Sequence, residues 1–479
     1  MKKLFTSFLI IVSTSFIFPQ THWEGNVYLG SLHRKINKIL SDPFFISSQI
    51  GIDVFDLNTK KTLYHKNEKV LFRPASNLKI LTSTAGLLFL GPDYEFTTKL
   101  YHTGKIMDGT LYGDLYIVGG FDPVFSTDDL DTLLIGLKQA GVKKIAGNIY
   151  ADVSAKDSLF WGSGWMWDDD PSSDAPYLSA LNINANVVKV AYAPSQVGFP
   201  VKVTLIPKSN YYSFKNLAVT SISDSPKIKV DRDWLDRKNN INLSGNLLYS
   251  AEPDTEEINI YDPVKYFLNL FNQKLDGEKV ILSGIEDTLT VPSNANLIGI
   301  VEHSFGNILD PLNKESDNLD AEMTLYALAE KYYGKPASAE NGTKIIDSLI
   351  TLTGFDPEDY RIVDGSGVSH YNLISSELIL GVLKYLYYEH PDLFKLFYNS
   401  LPVAGNDGTL DNRMNDTPAQ DVLRAKTGTI SGVSCLSGYV KARNGHYIAF
   451  SIMVQNYVTK AKVARAFIDE ICDLLARYK

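Results

Sequence analysis

The stretch that decides the fold covers residues 74–92 and reads PASNLKILTSTAGLLFLGP. Apolar residues recur along it at the spacing of one helix face, from Leu78 to Leu88. Pro74 suits the first turn of a helix, where its missing N–H would have no partner, and the closing Gly-Pro pair ends the pattern. The sequence therefore predicts a helix that begins near Pro74 and carries Ser76 in its first turn.

Ser76 and Lys79 stand three positions apart, so a helix places both side chains on one face. A serine hydroxyl is a poor nucleophile until a base removes its proton, and lysine is such a base when burial or a second cation lowers its pKa. The N-terminus of a helix adds N–H groups aimed at developing negative charge. We therefore expect Ser76 to attack a carbonyl with Lys79 as its base. The alternative is a capping serine followed by an exposed lysine.

A second polar element, Ser316-Asp317-Asn318, stands directly before a helical pattern predicted over residues 319–333. We expect the Ser316 hydroxyl to relay a proton to a leaving amine. The Asn318 amide would bind the substrate backbone and Lys79. The alternative is that Ser316 or Asp317 only caps the helix.

A third element, Lys426-Thr427-Gly428-Thr429, precedes two apolar runs that predict strands, and it is itself typical of an edge strand. Gly428 removes a side chain, so another backbone can approach, and an extended peptide can add to such an edge. We expect Lys426 and Thr427 to bind a terminal carboxylate, and the N–H of Thr429 to form an oxyanion hole with that of Ser76. Lys426 would also be the second cation beside the base. The alternative is an exposed lysine that protects the edge from aggregation.

These elements, in this order, resemble the active site of penicillin-binding proteins and serine β-lactamases. The gap between the first and second elements is more than twice the gap between the second and third. Such spacing resembles the low-molecular-mass class C penicillin-binding proteins, the D-alanyl-D-alanine carboxypeptidase/endopeptidase family. The resemblance extends to Gly119-Gly120-Phe121-Asp122-Pro123, Asp364-Gly365-Ser366-Gly367-Val368-Ser369 and Ala404-Gly405-Asn406-Asp407-Gly408-Thr409-Leu410. His370 departs from it, because that family often has arginine there, which leaves the preference for the donor peptide open.

The resemblance implies an α/β (α+β) fold, in which a β-lactamase/transpeptidase-like domain of an antiparallel sheet with helices is interrupted by a β-rich insertion. The length of the chain agrees with more than one domain, because 479 residues exceed what one hydrophobic core supports. Short alternating runs fill the middle of the chain, and helical patterns return after it. We predict a catalytic domain from residues 21–95 and 291–479, and one or more inserted domains over residues 96–290.

The implied function is that of a serine-type D-Ala-D-Ala carboxypeptidase/endopeptidase. It would act on peptidoglycan stem peptides and cross-links through an acyl-enzyme on Ser76, and β-lactams would acylate the same serine. One alternative is a β-lactamase or D-amino-acid esterase with the same acylation machinery. Another is a non-catalytic cell-wall-binding scaffold, although binding alone does not need both lysines.

The N-terminus has two lysines, an apolar run from Leu4 to Phe18 and a polar exit. This pattern predicts a signal peptide over residues 1–20 and secretion across the inner membrane into the periplasm, with at most peripheral membrane contact. A membrane anchor is the alternative, but the run is shorter than the about 20 residues of a spanning helix.

A net charge of −9 disfavours a nucleic-acid partner. The histidines show no metal-binding spacing, so we predict neither metal nor cofactor. Cys435 and Cys472 either pair in an oxidising compartment or lie buried separately. The stretch Trp161 to Asp170 (WGSGWMWDDD) either meets a cationic group of a wall peptide or supplies core tryptophans and a solvated turn.

Overall fold

The computed structural model describes residues 21–479, with side chains from residue 28 onward. The predicted signal peptide lies outside the described residues. Among the helices that are described, none combines the length and the apolar character of a membrane span.

A five-stranded antiparallel sheet joins the two ends of the chain. Its strands stand in the order Lys61–Lys66, Gln49–Asp56, Tyr447–Gln455, Val433–Lys441 and Leu423–Ile430. The last of these carries the Lys426 to Thr429 element and stands at the edge of the sheet, as the sequence predicts. We call it the edge strand.

Helices cover both faces of this sheet because its strands alternate apolar side chains between two cores. Helices Thr21–Ile39 and Ala461–Ala476 close one face. The other helices of this part are Phe44–Ser47, Phe305–Asp310, Asn318–Tyr333, Ala339–Leu352, Ser376–Glu389 and Pro391–Ser400, with short turns at Pro311–Glu315, Pro357–Asp359 and Gly408–Leu410.

The helix predicted to begin at Pro74 is present but irregular. It begins as a 3₁₀ turn over Ala75–Leu78, continues as an α-helix over Lys79–Ala85 and ends as a π-turn over Gly86–Leu90. Ala75 has φ +47°, in the left-handed region, which interrupts a regular α-helical start. The serine turn, as we call Ala75–Leu78, therefore has its own backbone path.

Between this helix and helix Phe305–Asp310 the chain forms a β-rich excursion with a core of its own. Its helices are Asp129–Leu133, Ile135–Gln139 and Pro263–Gly277, with 3₁₀ turns at Trp167–Asp169, Asn184–Asn186 and Trp234–Asp236. One sheet has the strand order Glu286–Thr288, Ile149–Asp152, Leu115–Gly120, Glu95–His102 and Asn296–Ser304, and a second has Ile281–Leu282, Lys144–Ile145, Thr110–Tyr112 and Lys105–Met107. The smaller sheets are Lys202–Ile206 with Val187–Ala193 and Asp254–Asn259; Ser213–Asn216 with Asn240–Ser244 and Lys229–Arg232; and Val219–Ser221 with Asn246–Leu248.

Two of the alternating runs in the middle of the chain, residues 110–118 and 144–150, each divide between two sheets. Two glycines lie against each other where the two sheets part. A Cβ on Gly147 would lie 2.3 Å from the carbonyl oxygen of Gly113. This close backbone contact ends both strands, which hydrophobic alternation alone does not reveal.

The chain leaves and re-enters the excursion through one pair of strands, because Asn296–Ser304 pairs with Glu95–His102. The pairing carries the excursion beyond the predicted limit at residue 290. We call residues 95–304 the insertion, and its status as separate domains stays a prediction.

Cys435 and Cys472 do not pair. Cys435 lies in the sheet and Cys472 in the last helix, and both are buried free thiols. Burial raises the pKa of both thiols, so they serve as small apolar core residues.

Candidate active site

A cleft of about 850 Å³ lies between the edge strand, the serine turn and the insertion. Six of the residues that line it come from the three sequence elements: Ser76, Ser316, Asn318, Thr427, Gly428 and Thr429. The two lysines, Lys79 and Lys426, are fully buried at 0% exposure. The structure thus brings together segments that lie far apart in the sequence.

Gly428 holds the edge strand against the serine turn. A Cβ at this position would lie 2.7 Å from the carbonyl oxygen of Pro74 and 2.9 Å from the amide nitrogen of Asn77. The backbone that Gly428 admits is therefore that of the serine turn itself. This contact fixes the position of Ser76 relative to the edge strand.

The Lys79 side chain lies next to the Ser76 hydroxyl. Its Nζ lies 3.0 Å from Ser76 Oγ and donates to Asn318 Oδ1 and, over 2.9 Å, to the Ser366 carbonyl oxygen. Burial lowers the pKa of Lys79 to about 8, although nearby carboxylates oppose the shift. A neutral amine, which can accept a proton, is therefore accessible near physiological pH.

Lys426 brings a second buried amine to the cleft. Its Nζ donates to Ser316 Oγ over 2.8 Å and to the Thr427 carbonyl oxygen over 3.2 Å. Burial, and then the charge of Lys79, lower the pKa of Lys426 well below that of an ordinary lysine. Ser316 is thus hydrogen-bonded to an amine that holds its proton less tightly than an ordinary lysine does.

The Ser316-Asp317-Asn318 element divides its tasks. Asp317 caps the following helix, because its Oδ1 accepts from the Asp320 N–H over 2.9 Å. Ser316 takes φ +66° just before the cap, and its hydroxyl meets Lys426. Asp317 is thus the residue that caps the helix, whereas Ser316 lines the cleft. The Asn318 Nδ2 donates to the Asp174 carbonyl oxygen, which belongs to the insertion.

The far end of the edge strand is polar and basic. Thr427 Oγ1 donates to Thr409 Oγ1 over 2.8 Å, and Thr429 Oγ1 accepts from Arg465 over 3.4 Å. Sequence reasoning missed Arg465, since an arginine on the last helix carries no motif. Thr409 lies in the Ala404 to Leu410 motif, which was a usable signal.

The tryptophan and aspartate stretch of the insertion divides between the core and the cleft, and its contact with a wall peptide stays a prediction. Trp165 is buried, and Asp170 forms an ion pair with the buried Arg232. Asp168 and Asp169 instead line the cleft with His370.

Within residues 28–479, no group of three or more His, Cys, Asp or Glu side chains has an arrangement that would hold a metal ion. The absence of a cofactor stays a prediction.

Known proteins match this chain along most of its length. A sequence profile of the D-Ala-D-Ala carboxypeptidase 3 (S13) family matches residues 32–478. The chain is 31% identical over 468 residues to a D-alanyl-D-alanine carboxypeptidase of Actinomadura sp. (strain R39), covering 94% of this chain and 85% of that one. It is 27% identical over 463 residues to D-alanyl-D-alanine carboxypeptidase DacB of Haemophilus influenzae, covering 95% and 94%.

The fold is also known. The crystal structure of penicillin binding protein 4 (dacB) from Haemophilus influenzae superposes with a TM-score of 0.79 at 26% identity, covering 91% of this chain and 97% of that chain. This match confirms the predicted mixed α/β fold class.

Proposed function

Because the chain belongs to the D-Ala-D-Ala carboxypeptidase 3 (S13) family and is a hydrolase of that kind, we propose that Ser76 is its nucleophile and that the cleft trims the stem peptides of peptidoglycan. One observation carries the proposal: Ser76 Oγ lies 3.0 Å from the Nζ of a fully buried lysine. Family membership disfavours the non-catalytic scaffold and the β-lactamase or esterase alternatives.

The acylation step follows from the contacts of Lys79. Its neutral amine accepts the Ser76 proton while Oγ attacks the carbonyl carbon of the penultimate D-Ala. The N–H groups of Ser76 and Thr429 stabilise the oxyanion. Ser316 gives its proton to the departing amine and takes one from Lys426, which donates to its Oγ over 2.8 Å, so the C–N bond breaks and D-Ala leaves. Water then attacks the ester carbonyl and loses a proton, which restores Lys426. The bond to Ser76 Oγ breaks, and Lys79 returns its proton to that oxygen.

Substrate orientation is assigned to the polar groups around this centre. The C-terminal carboxylate binds at Lys426 and Thr427, where Arg465 adds positive charge at the same end of the cleft. The Asn318 amide binds the substrate backbone. A free amine on the stem-peptide side chain would meet Asp168 and Asp169 on the opposite wall.

We assign β-lactams to the same serine, since they present a reactive amide carbonyl next to a carboxylate. The Haemophilus influenzae relative has been solved in complex with a β-lactam. We place the enzyme in the periplasm, because its substrate lies outside the inner membrane and residues 1–20 have the pattern of a signal peptide.

The test is digestion of purified muropeptides, with the products identified by mass. Loss of terminal D-Ala from monomers reports carboxypeptidase action, and conversion of cross-linked dimers to monomers reports endopeptidase action. Ser76→Ala should abolish both. Ser83→Ala is the matched control, because Ser83 lies on the same helix and its hydroxyl donates only to backbone carbonyls. Turnover by folded Ser76→Ala protein would refute the assignment.

A further inference from the structure

The Asp364 to Ser369 motif supplies a backbone acceptor to the catalytic lysine. Its Ser366 carbonyl oxygen accepts from Lys79 Nζ over 2.9 Å. Its Gly365 carbonyl oxygen accepts from Thr82 Oγ1 over 2.6 Å, one turn further along the same helix. The Gly365-Ser366 dipeptide is thus bound through its two carbonyls to the helix that carries the nucleophile.

A single carboxylate holds the other side of this dipeptide. Glu322 Oε1 accepts from the N–H of Gly365 over 3.0 Å and from the N–H of Ser366 over 2.8 Å. Glu322 lies in helix Asn318–Tyr333, which begins with the cleft residue Asn318. The dipeptide therefore bridges two helices that both reach the active site.

Burial of the Glu322 carboxyl group costs free energy. Only 1% of its surface is exposed, and burial together with the negative charge of Asp364 raises its pKa. A buried acid is tolerated when hydrogen bonds compensate it. In the chemistry described above Glu322 transfers no proton and binds no substrate, and its charge only opposes the lowering of the Lys79 pKa. The two N–H bonds therefore need an explanation.

The geometry of a neutral amine explains why Glu322 binds these two N–H groups. Lys79, once neutral, has two N–H bonds and one lone pair. The Asn318 Oδ1 and Ser366 carbonyl oxygens accept the two N–H bonds, and the lone pair is left for the Ser76 hydroxyl. Without a fixed Ser366 carbonyl the amine can rotate, and the lone pair no longer points at Ser76.

We propose that Glu322 is a positioning residue: by binding the Gly365 and Ser366 N–H groups it fixes the Ser366 carbonyl, which aims the lone pair of Lys79 at Ser76. The inference rests on the proposed function, because it assumes that Lys79 is the base. It adds a residue that never touches substrate but sets the direction of proton transfer.

Three substitutions test it by their effect on kcat and KM for a D-Ala-D-Ala peptide and on the rate of acylation by a fluorescent penicillin. Glu322→Leu keeps volume but removes the acceptor, and kcat should fall about 100-fold with KM little changed, as for a small misplacement of a catalytic group. Glu322→Asp keeps the carboxyl group but withdraws its oxygen from the two N–H groups, and should also be slow. Glu322→Gln keeps an acceptor oxygen and should restore most of the rate.

The matched control is Asp320→Asn. Asp320 is a buried acid on the same helix whose side chain makes no bond to the Gly365-Ser366 dipeptide, and its variant should acylate at the wild-type rate. Wild-type kcat in Glu322→Asp or Glu322→Leu would overturn the inference, as would equal losses in Glu322→Gln and Glu322→Leu. If Glu322→Leu does not fold, the Asp and Gln pair decides. Labelling that survives Ser76→Ala would instead refute the proposed function itself.

Discussion

Lys79 has no contact with solvent, and a second buried lysine, Lys426, lies near enough for the charge of Lys79 to lower the pKa of Lys426. An ammonium loses hydration when it is buried, so its proton is held less tightly. At this scale the site works by making an ordinary lysine a usable base.

This gives a prediction for pH dependence. The pKa of Lys79 is lowered to about 8, and only the amine form accepts the Ser76 proton. The acylation rate should therefore rise with pH and level off above about 8. Stopped-flow labelling with a fluorescent penicillin across the pH range measures this. A rate still climbing towards the ordinary lysine pKa of about 10.4 would contradict it.

A second prediction concerns the different roles of Asp168 and Asp170. Asp170 is ion-paired with Arg232, whose side chain is 0% exposed. Asp170→Asn leaves that charge uncompensated and should cost about 3–5 kcal/mol in the free energy of unfolding, measured by urea denaturation. Asp168→Asn is the control: Asp168 is exposed, so stability should hold while turnover of peptides with a free side-chain amine falls. Equal stabilities of the two variants would contradict this division.

Single residues were predictable where chemistry requires a particular side chain. Ser76, Lys79, Ser316 and Lys426 stand in short motifs, and the structure brings them together. The Ser366 carbonyl oxygen could not be predicted as a partner of Lys79, because every residue has a carbonyl and only the fold selects one.

At the scale of elements, the edge strand and the serine turn depend on each other through Gly428. Gly428→Ala places a Cβ 2.7 Å from the Pro74 carbonyl oxygen, so the strand must move away from the turn. We expect the acylation rate to fall while the melting temperature changes little, since the contact lies at the edge of the sheet. Gly277→Ala is the control, because a Cβ there meets no atom within 4 Å. Unchanged acylation in Gly428→Ala would contradict the role given to this contact.

Elements were predictable in kind but not in detail. Helix periodicity after Pro74 and the apolar strands near the C-terminus are both present in the structure. The 3₁₀ start of the serine helix depends on the left-handed backbone at Ala75, and alanine gives no sequence signal for that conformation. The split of residues 110–118 depends on a contact between distant glycines.

At the scale of the molecule, the insertion is packed into the catalytic part. Phe121 stacks on Tyr326 with 5.9 Å between ring centroids, and one core contains residues of both parts. Trp165 Nε1 also donates to Asp364 Oδ2 over 3.0 Å. The insertion thus supports the motif that presents the Ser366 carbonyl to Lys79.

Trp165→Phe tests this connection, because it removes the N–H donor and keeps an aromatic ring. We expect a loss of about 0.5–1.5 kcal/mol in the free energy of unfolding, the net contribution of one hydrogen bond, because Asp364 Oδ2 still accepts from the Ser369 N–H over 2.7 Å. Acylation should also be slower. Trp161→Phe is the control, since Trp161 makes ring contacts, with Trp165 at 5.4 Å and with Tyr177 at 5.1 Å between centroids. Thermal unfolding and penicillin labelling report the two effects. Equal behaviour of the two variants would indicate that the hydrogen bond has no role.

The sequence predicted that an insertion exists, because the spacing between motifs reveals it. It did not predict that Trp165 of the insertion donates to Asp364 or that the Asp174 carbonyl oxygen accepts from Asn318. Such contacts depend on how distant segments pack, and no local pattern of residues records them.

The proposed mechanism requires that Ser76 becomes acylated. Tryptic mapping after reaction with benzylpenicillin tests it directly, since the peptide of residues 70–79 contains Ser76 as its sole serine. One penicilloyl adduct should appear on that peptide and on no other. If the 70–79 peptide stays unmodified, with the adduct elsewhere or absent, Ser76 is not the nucleophile.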